Sequence, residues 1–427
     1  MAAKNTPNAK PDMDTEEDAE EETAAKAEKE VKEDLTDPNV VTKYRQAADI
    51  VNAALGLIVK NAAAGKKVVD LCLESDKYIT DETNKLYKKG KVERGIAFPT
   101  CLSINNVVGH SSPLANDNKE LKENDVVKID LGAHIDGYIA VAAHTFVVNG
   151  GKKVTGKAAD VIAAALTAQE AALKLLKAGN KNSQITPIIA KVCSEFKVAP
   201  VQGVLSHQMT RFVIDGEKVI LNKEDTDNRV DQVTFEPNEV YAIDVVVSSG
   251  EGKPKESEER TTVFKRKGDV TYKLKLAASK KVFSEILKRF PSCPFALRSL
   301  EEKTALFGIK ECVDHELLQS YPVLHEKPGL LVRTQSTAGD IVAHFKFTAL
   351  LLASGTVRIT GLPVDPRLLE TSTQITDPQI KEVLNQSSGG KKKKKKKGGA
   401  KKADGSAAAG AKKEEDDGED DADMEAS

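Results

Sequence analysis

The sequence predicts an α+β body made of two similarly ordered halves, an antiparallel sheet backed by helices. Three observations lead there. Apolar residues recur at helical spacing through Val40, Tyr44, Ala47, Val51, Ala54, Leu55 and Ile58, and an Ala- and Leu-rich helical stretch returns at 157–176. Each helical stretch is followed by strand-like text, DVVKIDLGAHIDGYIAVAAHTFVV at 125–148 and VYAIDVVV at 240–247. Each of those runs carries one acidic residue among apolar neighbours, Asp130 in the first and Asp244 in the second. Helices followed by strands, twice over, describe a doubled α+β architecture.

In chain order, residues 1–34 hold 5 Lys against 12 Asp and Glu and almost no large apolar groups, so they are expected to be a disordered acidic arm. The body is expected over 35–388. Pro38 suits a helix start, and a second helix is expected over 68–86. GIAFPTCLSINNVVGHSSP then reads as strand and loop, with His110 after an apolar pair. Asp136-Gly137 supplies a two-residue hairpin turn between Ile135 and Tyr138-Ile139. The helix at 157–176 stops before Gly179-Asn180, and Ser183 is expected to cap the next, which runs to about Phe196. VQGVLSHQMTRFVIDG follows, with His207 at its centre; residues 272–320 read as mainly helical and basic. The last strand, 344–352, alternates His344, Lys346 and Thr348 with Phe345 and Phe347, so one of its faces is polar.

Composition narrows the classes. With 427 residues and 40% hydrophobic content the chain can build a sizeable core. No apolar run approaches twenty residues and no apolar leader follows Met1-Ala2, so neither a membrane span nor secretion is expected. Five scattered cysteines without a CxxC fit reduced thiols rather than a disulfide frame or zinc finger. The net charge of −2 hides segregation: residues 253–298 carry 13 Lys and Arg against 5 acids. From 389 onward a low-complexity tail is expected to be disordered, with seven consecutive lysines ahead of an acidic end.

Ionised carboxylates are costly inside apolar strands unless something meets them. For Asp130 alone, the common explanation is a strand Asp bonded to neighbouring backbone. Yet His110, Asp130, His207, Asp244 and the His344/Lys346 face form polar stations far apart in sequence, a set that suits a two-metal hydrolytic site with ions roughly 3.5–4 Å apart. The motifs KIDLGAHIDGYI, LSHQM, EVYAID and VAHFKFTALLL, in that order, make the chain from about 40 to 385 resemble methionine aminopeptidases, especially type II. The resemblance implies the pita-bread (methionine aminopeptidase/creatinase-like) fold, with pseudo-symmetric halves and a helical insert at about 272–338. It places the metal ligands at Asp130, Val141, His207, Asp244 and Lys346, and substrate-pocket residues at His110 and His344. Val141 then stands for a bridging Asp and Lys346 for a bridging Glu, and Asp244 is one methylene shorter than the family's Glu. That set leaves no geometry for two hard divalent ions, so no metal, cofactor or peptidase activity is expected. Lys346 is expected to balance Asp130 and Asp244 instead.

That pattern, with VVTKY, KIDLGAHIDG, VIDGEK, VSSGEGK, the acidic arm and the polylysine tract, resembles a narrower group, the proliferation-associated, ErbB-receptor-binding proteins of eukaryotes. The resemblance implies a monomeric, non-peptidase RNA- and ribosome-binding factor in ribosome biogenesis, translation and growth control, resident in cytoplasm, nucleus and nucleolus. The implied partners are the large ribosomal subunit and its RNA near the exit tunnel, other structured RNA, signalling receptors and transcription regulators. Where some relatives carry an LxxLL helix this chain reads IKEVL at 380–384, which sets it apart from them in co-regulator work.

The residues add their own argument for RNA. Lys253, Lys255, Arg260, Lys265, Arg266 and Lys267 flank a Gly-containing loop, and Lys273, Lys275, Lys280, Lys281, Lys288 and Arg289 continue into the insert. Such a surface suits shape-led recognition of phosphates. The tract Lys391, Lys392, Lys393, Lys394, Lys395, Lys396 and Lys397 suits sequence-independent contact or a nuclear address, and equally a solubilising tail. No RNA-recognition signature appears, and with 4% aromatics and no Trp, stacking platforms are not expected. His110 and His207 read as hydrogen-bonded imidazoles in an inherited cavity or as a surviving single-metal site. Two other readings stand beside the RNA factor: a protein-interaction scaffold using the cavity or the surface beside Tyr44, and a metallopeptidase with unusual ligands.

Overall fold

The computed structural model describes residues 34–225, 229–301, 305–327 and 339–386. The expected acidic arm, the lysines 391–397 and the acidic end lie outside them, as do parts of the insert at 302–304 and 328–338. Helix α1 (Pro38–Asn61) starts where Pro38 fixes the first turn and the Asp37 carboxylate accepts from the Asn39 amide at 2.8 Å. Helix α2 (Val68–Lys85) follows. Strand β1 (Arg94–Ile104), the short β2 (Val107–Gly109) and the hairpin β3 (Val126–Ile135) and β4 (Tyr138–Val147) complete the first half. Asp136 and Gly137 turn the hairpin with φ of 56° and 76°, the double positive φ that a two-residue turn of matching twist requires.

The second half repeats the plan with α3 (Gly156–Leu175), α4 (Ile185–Glu195), β5 (Leu205–Met209), β6 (Val219–Leu221) and β7 (Val240–Ser248). Ser183 does not cap α4. Residues Asn182–Gln184 form a 3-10 turn, and Gln184 stands at the helix N-cap without a side-chain bond. The turn is held instead by Asn182, whose amide donates to the carbonyls of Val219 and Asp231 and accepts from the Val233 amide.

The basic stretch then contributes β8 (Pro254–Glu256), β9 (Val263–Arg266), α5 (Ala277–Arg289), β10 (Phe295–Ala296), α6 (Ala305–Asp314), β11 (Leu318–Tyr321) and β12 (Leu324–Glu326). Between 272 and 320 the helices α5 and α6 make up the larger ordered part, as expected. Pro291 and Pro294 separate the two helices, and β9 pairs with both β10 and β11 in a small sheet. The chain ends its described part with β13 (Val342–Leu352), β14 (Gly355–Arg358) and α7 (Pro378–Leu384).

One antiparallel sheet organises the described residues, in the order β1-β3-β4-β13-β7-β5-β6, with β14 and residues 199–200 added at β13 and β7. The two halves meet where β4 and β13 join. Alternation decides which side each residue faces. Val127, Ile129 and Leu131 of β3 pack against α1 and α2, and Tyr241, Ile243 and Val245 of β7 with Phe345 and Phe347 of β13 pack against α3 and α4. The residues between them, including Asp130, Asp244, His344 and Lys346, face the other way.

Two further placements matter for function. Tyr44, on the expected apolar stripe of α1, is 3% exposed and 5.2 Å from the Tyr138 ring, so a surface beside it does not include its side chain. The five cysteines are free and buried. Among the described residues no helix is long and apolar enough to cross a membrane.

Candidate functional site

The polar stations lie on one row of the sheet. Asp130 of β3 pairs with Ala143 of β4, Ala143 with Lys346 of β13, and Lys346 with Asp244 of β7. Because directly paired residues share a face, the two carboxylates and the ammonium point into the same space. Ala143, between Asp130 and Lys346, is small enough for the lysine to reach across it. The Lys346 Nζ lies 2.8 Å from Asp130 Oδ2 and 3.0 Å from Asp244 Oδ2, with the Phe98 ring 5.5 Å away. His344 Nε2 meets the other Asp244 oxygen at 2.7 Å.

All four charged or polar groups are largely withdrawn from water, which sets the titration of Asp244 and Lys346. Burial pushes the Asp244 carboxyl up, but Lys346 and then His344 outweigh it and hold that carboxyl well below the usual range. Burial likewise opposes the charge on Lys346, and Asp130 with Asp244 more than restores it, so the ammonium titrates above an ordinary lysine. Each charge is stable in place only because the others are there.

Val141 is two residues from Ala143 and faces the same space, without a donor atom. Its backbone is engaged within the protein: the Val141 N–H donates to Thr348 Oγ1 at 2.9 Å, and its carbonyl accepts from the Thr348 and Thr360 hydroxyls. The Val141 side chain fits because Gly132 lies opposite; a Cβ on Gly132 would meet Val141 Cγ1 at 2.8 Å.

His110 and His207 enter from the rim. His110 adopts a positive φ of 64°, and its Nδ1 lies 3.0 Å from the Pro322 carbonyl. Burial lowers the pKa of both imidazoles, which favours their neutral forms. His207 Nδ1 and Asp130 Oδ1 are buried without a protein partner. Phe98, Val141, Ile214, Tyr321 and Leu324 wall the resulting cavity of about 340 Å³ on its apolar side.

This donor set does not fit a pair of divalent ions. Between the two carboxylates there is already a cation, and neither Val141 nor Lys346 offers an anionic oxygen to bridge two ions. Among the described residues no group of three or more His, Cys, Asp or Glu is disposed to hold a metal ion.

The basic residues fall into two sets. Lys253, Lys255, Arg260, Lys273, Lys275, Lys280, Lys281, Lys288 and Arg289 are exposed. Lys265, Arg266 and Lys267 are half-buried and engaged with their own chain: Lys265 with Asp215, Arg266 with the Pro291 carbonyl at 2.7 Å, and Lys267 with Glu316 at 3.3 Å. Arg289 is shared with Glu285 and Glu301.

One residue pair escaped the sequence reading. Arg298, whose side chain is 1% exposed, reaches from the insert to Asp76 of α2 at 2.5 Å and to the Thr100 carbonyl at 2.8 Å. An arginine followed by Ser and Leu carries no local signal for such a partner 222 residues away. The 380–384 stretch forms most of α7, and Ile380 and Val383 are buried among α3 and α4.

Residues 42–268 match the model of metallopeptidase family M24. A protein of Solanum tuberosum named ERBB-3 binding protein 1 is 52% identical, over 83% of this chain and 89% of its own. The curved DNA-binding protein of Schizosaccharomyces pombe is 40% identical, over 84% and 93%. Among solved structures, a thermophilic Arx1 superposes with a TM-score of 0.77 at 28% identity, covering 83% of this chain and all of that one. The chain belongs to metallopeptidase family M24, has its pita-bread fold, and stands within it beside the ERBB-3 binding proteins.

Proposed function

We propose that this chain is a non-peptidase member of its family, an RNA- and ribosome-binding factor that works in ribosome biogenesis, translation and growth control. Lys346 carries the first part. Peptide hydrolysis in a metallopeptidase needs an ion to activate water and polarise the carbonyl. Here the positions that the family resemblance makes bridging ligands hold Val141 and an ammonium already bonded to Asp130 and Asp244. Asp130, His207 and Asp244 are on this reading the remnant of the ligand set, and His110 and His344 of the substrate pocket.

The second part draws on the exposed lysines and arginines between Lys253 and Lys288, which give the insert and its approach a positive surface in a chain of net charge −2. Similarity to a relative named a curved DNA-binding protein agrees with a phosphate-backbone partner. The large ribosomal subunit near its exit tunnel is the proposed site, and cytoplasm, nucleus and nucleolus the proposed residence. Receptor binding, which the name of the potato relative states for that protein, is the second reading. A co-repressor role through α7 finds less support, since Ile380 and Val383 would have to leave the core to be read by a partner.

The test is binding to ribosomes and structured RNA across a salt series. The intact chain is compared with residues 1–390 and with a variant in which Lys273, Lys275, Lys280, Lys281 and Lys288 become Gln. The variant is expected to bind weakly and with a salt slope reduced by about 0.7–0.9 per lost phosphate contact. Unchanged binding in both altered forms would end the RNA reading.

A further inference from the structure

Glu326 ends β12 and is 1% exposed, yet its carboxylate meets no cationic side chain among the described residues. Its Oε1 accepts from the Gly252 and Lys253 amides at 3.1 and 3.3 Å. Its Oε2 is buried without a hydrogen-bond partner. A buried anionic oxygen left unmet is among the costlier groups a fold can hold.

A second carboxylate stands beside it. Asp340, half-buried just ahead of β13, accepts the Ser249 hydroxyl on Oδ1 at 3.2 Å. Asp340 Oδ2 and Glu326 Oε1 both lie within 3.0 Å of one point, the place a Cβ on Gly250 would take. The two oxygens are therefore no more than about 6 Å apart, and a Ca²⁺ holding both at about 2.3–2.6 Å would bring them within about 5 Å. Position 250 is glycine, so no side chain fills the space between them. Like charges this close, one of them buried, call for a cation or a proton between them. Neither neighbouring lysine supplies the cation. Lys253 Nζ turns to Glu251 at 3.3 Å, and the exposed Lys327 makes no ion pair among the described residues.

We propose that Glu326 and Asp340 hold a hard divalent cation, Ca²⁺ ahead of Mg²⁺, where β12, the 249–253 loop and the start of β13 meet. The side chains offer oxygens alone, the donor set that hard cations take. Two carboxylates in an irregular loop suit Ca²⁺, which accepts variable geometry, better than Mg²⁺, which demands a near-ideal octahedron. Waters complete the shell from the open side of Asp340. The site is separate from the carboxylate row, since Asp340 precedes Lys346 by six residues in an extended run. The ion ties the β8-β12-β2 sheet to the entry of β13 and fixes the loop that carries Lys253. The proposal does not rest on the RNA reading.

The experiment is calorimetric titration of Ca²⁺ and of Mg²⁺ into the chelator-treated full chain, with Glu326→Gln, Asp340→Asn and Gly250→Ala beside it. The acidic ends of the chain are the same in every form, so their weak binding cancels in the comparison. Gln and Asn keep an oxygen for the amides and the hydroxyl, and circular dichroism checks that each variant is folded. The parent is expected to bind one Ca²⁺ that the two carboxylate variants do not, and to bind Mg²⁺ at least tenfold more weakly. Gly250→Ala keeps both carboxylates but sets a methyl between them, and is expected to weaken Ca²⁺ at least tenfold. Ca²⁺ is expected to raise the urea midpoint of the parent and leave those of the carboxylate variants unchanged. Equal Ca²⁺ binding by the parent and both carboxylate variants overturns the proposal. So does a parent whose midpoint ignores Ca²⁺ while Glu326→Gln is the more stable protein, which would mean that a shared proton joins the two carboxylates.

Discussion

Replacing Lys346 by Met removes a cation and keeps most of its volume, so it isolates the role of charge in the row. Asp130 and Asp244 lose their shared partner at 2.8 and 3.0 Å while remaining buried. Breaking a buried pair from one side costs about 3–5 kcal/mol, and here two carboxylates are left, so the upper part of that range is expected at neutral pH. The pH dependence separates this from a packing defect. In the parent, Asp244 has a depressed pKa; its contribution is present above the unfolded carboxyl value of about 4 and is lost as pH falls through the folded one. Lys346 has a raised pKa; its contribution is present below about 10.4 and is lost only as pH rises through the folded value. Between about pH 4 and 10 the pair's contribution is therefore flat. In the variant Asp130 loses its cation and Asp244 keeps only His344 against its burial, so the carboxylates bind protons more readily than in the parent and folding takes up protons. The gap between variant and parent should shrink by about 1–3 kcal/mol from pH 7.5 to pH 5. Urea unfolding followed by circular dichroism reads this directly, since the chain has no Trp to report by fluorescence. A variant within 0.5 kcal/mol of the parent at pH 7.5, or a gap unchanged at pH 5, would refute the argument.

Gly132→Ala should destabilise by about 1–3 kcal/mol, because its Cβ would lie 2.8 Å from Val141 Cγ1, and Gly132→Ala/Val141→Ala should be less destabilised than the sum of the two single changes in the same unfolding assay. The parent itself should lose stability as pH falls below about 6.5, since burial lowers His134 and His144 to about 4 and the unfolded chain takes up protons first. Changing His144 to Phe should remove about 3 kcal/mol of that acid loss between pH 7 and 4; an identical pH profile would show that His144 is not its source. Val141→Asp/Lys346→Glu places carboxylates at both positions the family resemblance assigns to bridging ligands, and should bind more Mn²⁺ by calorimetry than the parent does. A folded double variant that takes up no more metal than the parent would mean that these positions are not the ligand positions.

The strands were legible because their period is two and the offending residues are charged. Asp130 and Asp244 stand out in any apolar run, and His344 and Lys346 alternate with phenylalanines. Which of them meet was legible only through resemblance, since strand order and register join residues 216 apart in sequence. The helices of the insert were legible, SKKVFSEILKRF falling almost wholly on α5, but the pairing of β10 and β11 with β9, which precedes the insert, was not. Tyr44 was legible as part of the apolar stripe of α1, and its ring packs against Tyr138. Ser183 has the right chemistry for a cap, and Asn182, one residue earlier, took the structural role through three tertiary bonds that local reading does not contain.

The row also explains why the charges do not simply cancel into an inert core. Lys346 satisfies one oxygen of Asp130 and one of Asp244, and His344 takes the second oxygen of Asp244. Asp130 Oδ1 and His207 Nδ1 are left without protein partners beside a cavity of about 340 Å³. A well-packed apolar substitute for such a group is often as stable as the ion pair it replaces. The cavity therefore persists for geometric reasons: the strands that wall it are the same strands whose opposite faces carry α1 to α4, and Tyr321 and Leu324 close it from the segment that carries the insert. Lys265, bonded to Asp215 on the cavity wall, makes a second link between that segment and the site. The proposed non-peptidase role and the proposed use of the insert's surface are thus compatible within one architecture, because the lysine that occupies the row leaves the sheet, and with it the base of the insert, in place.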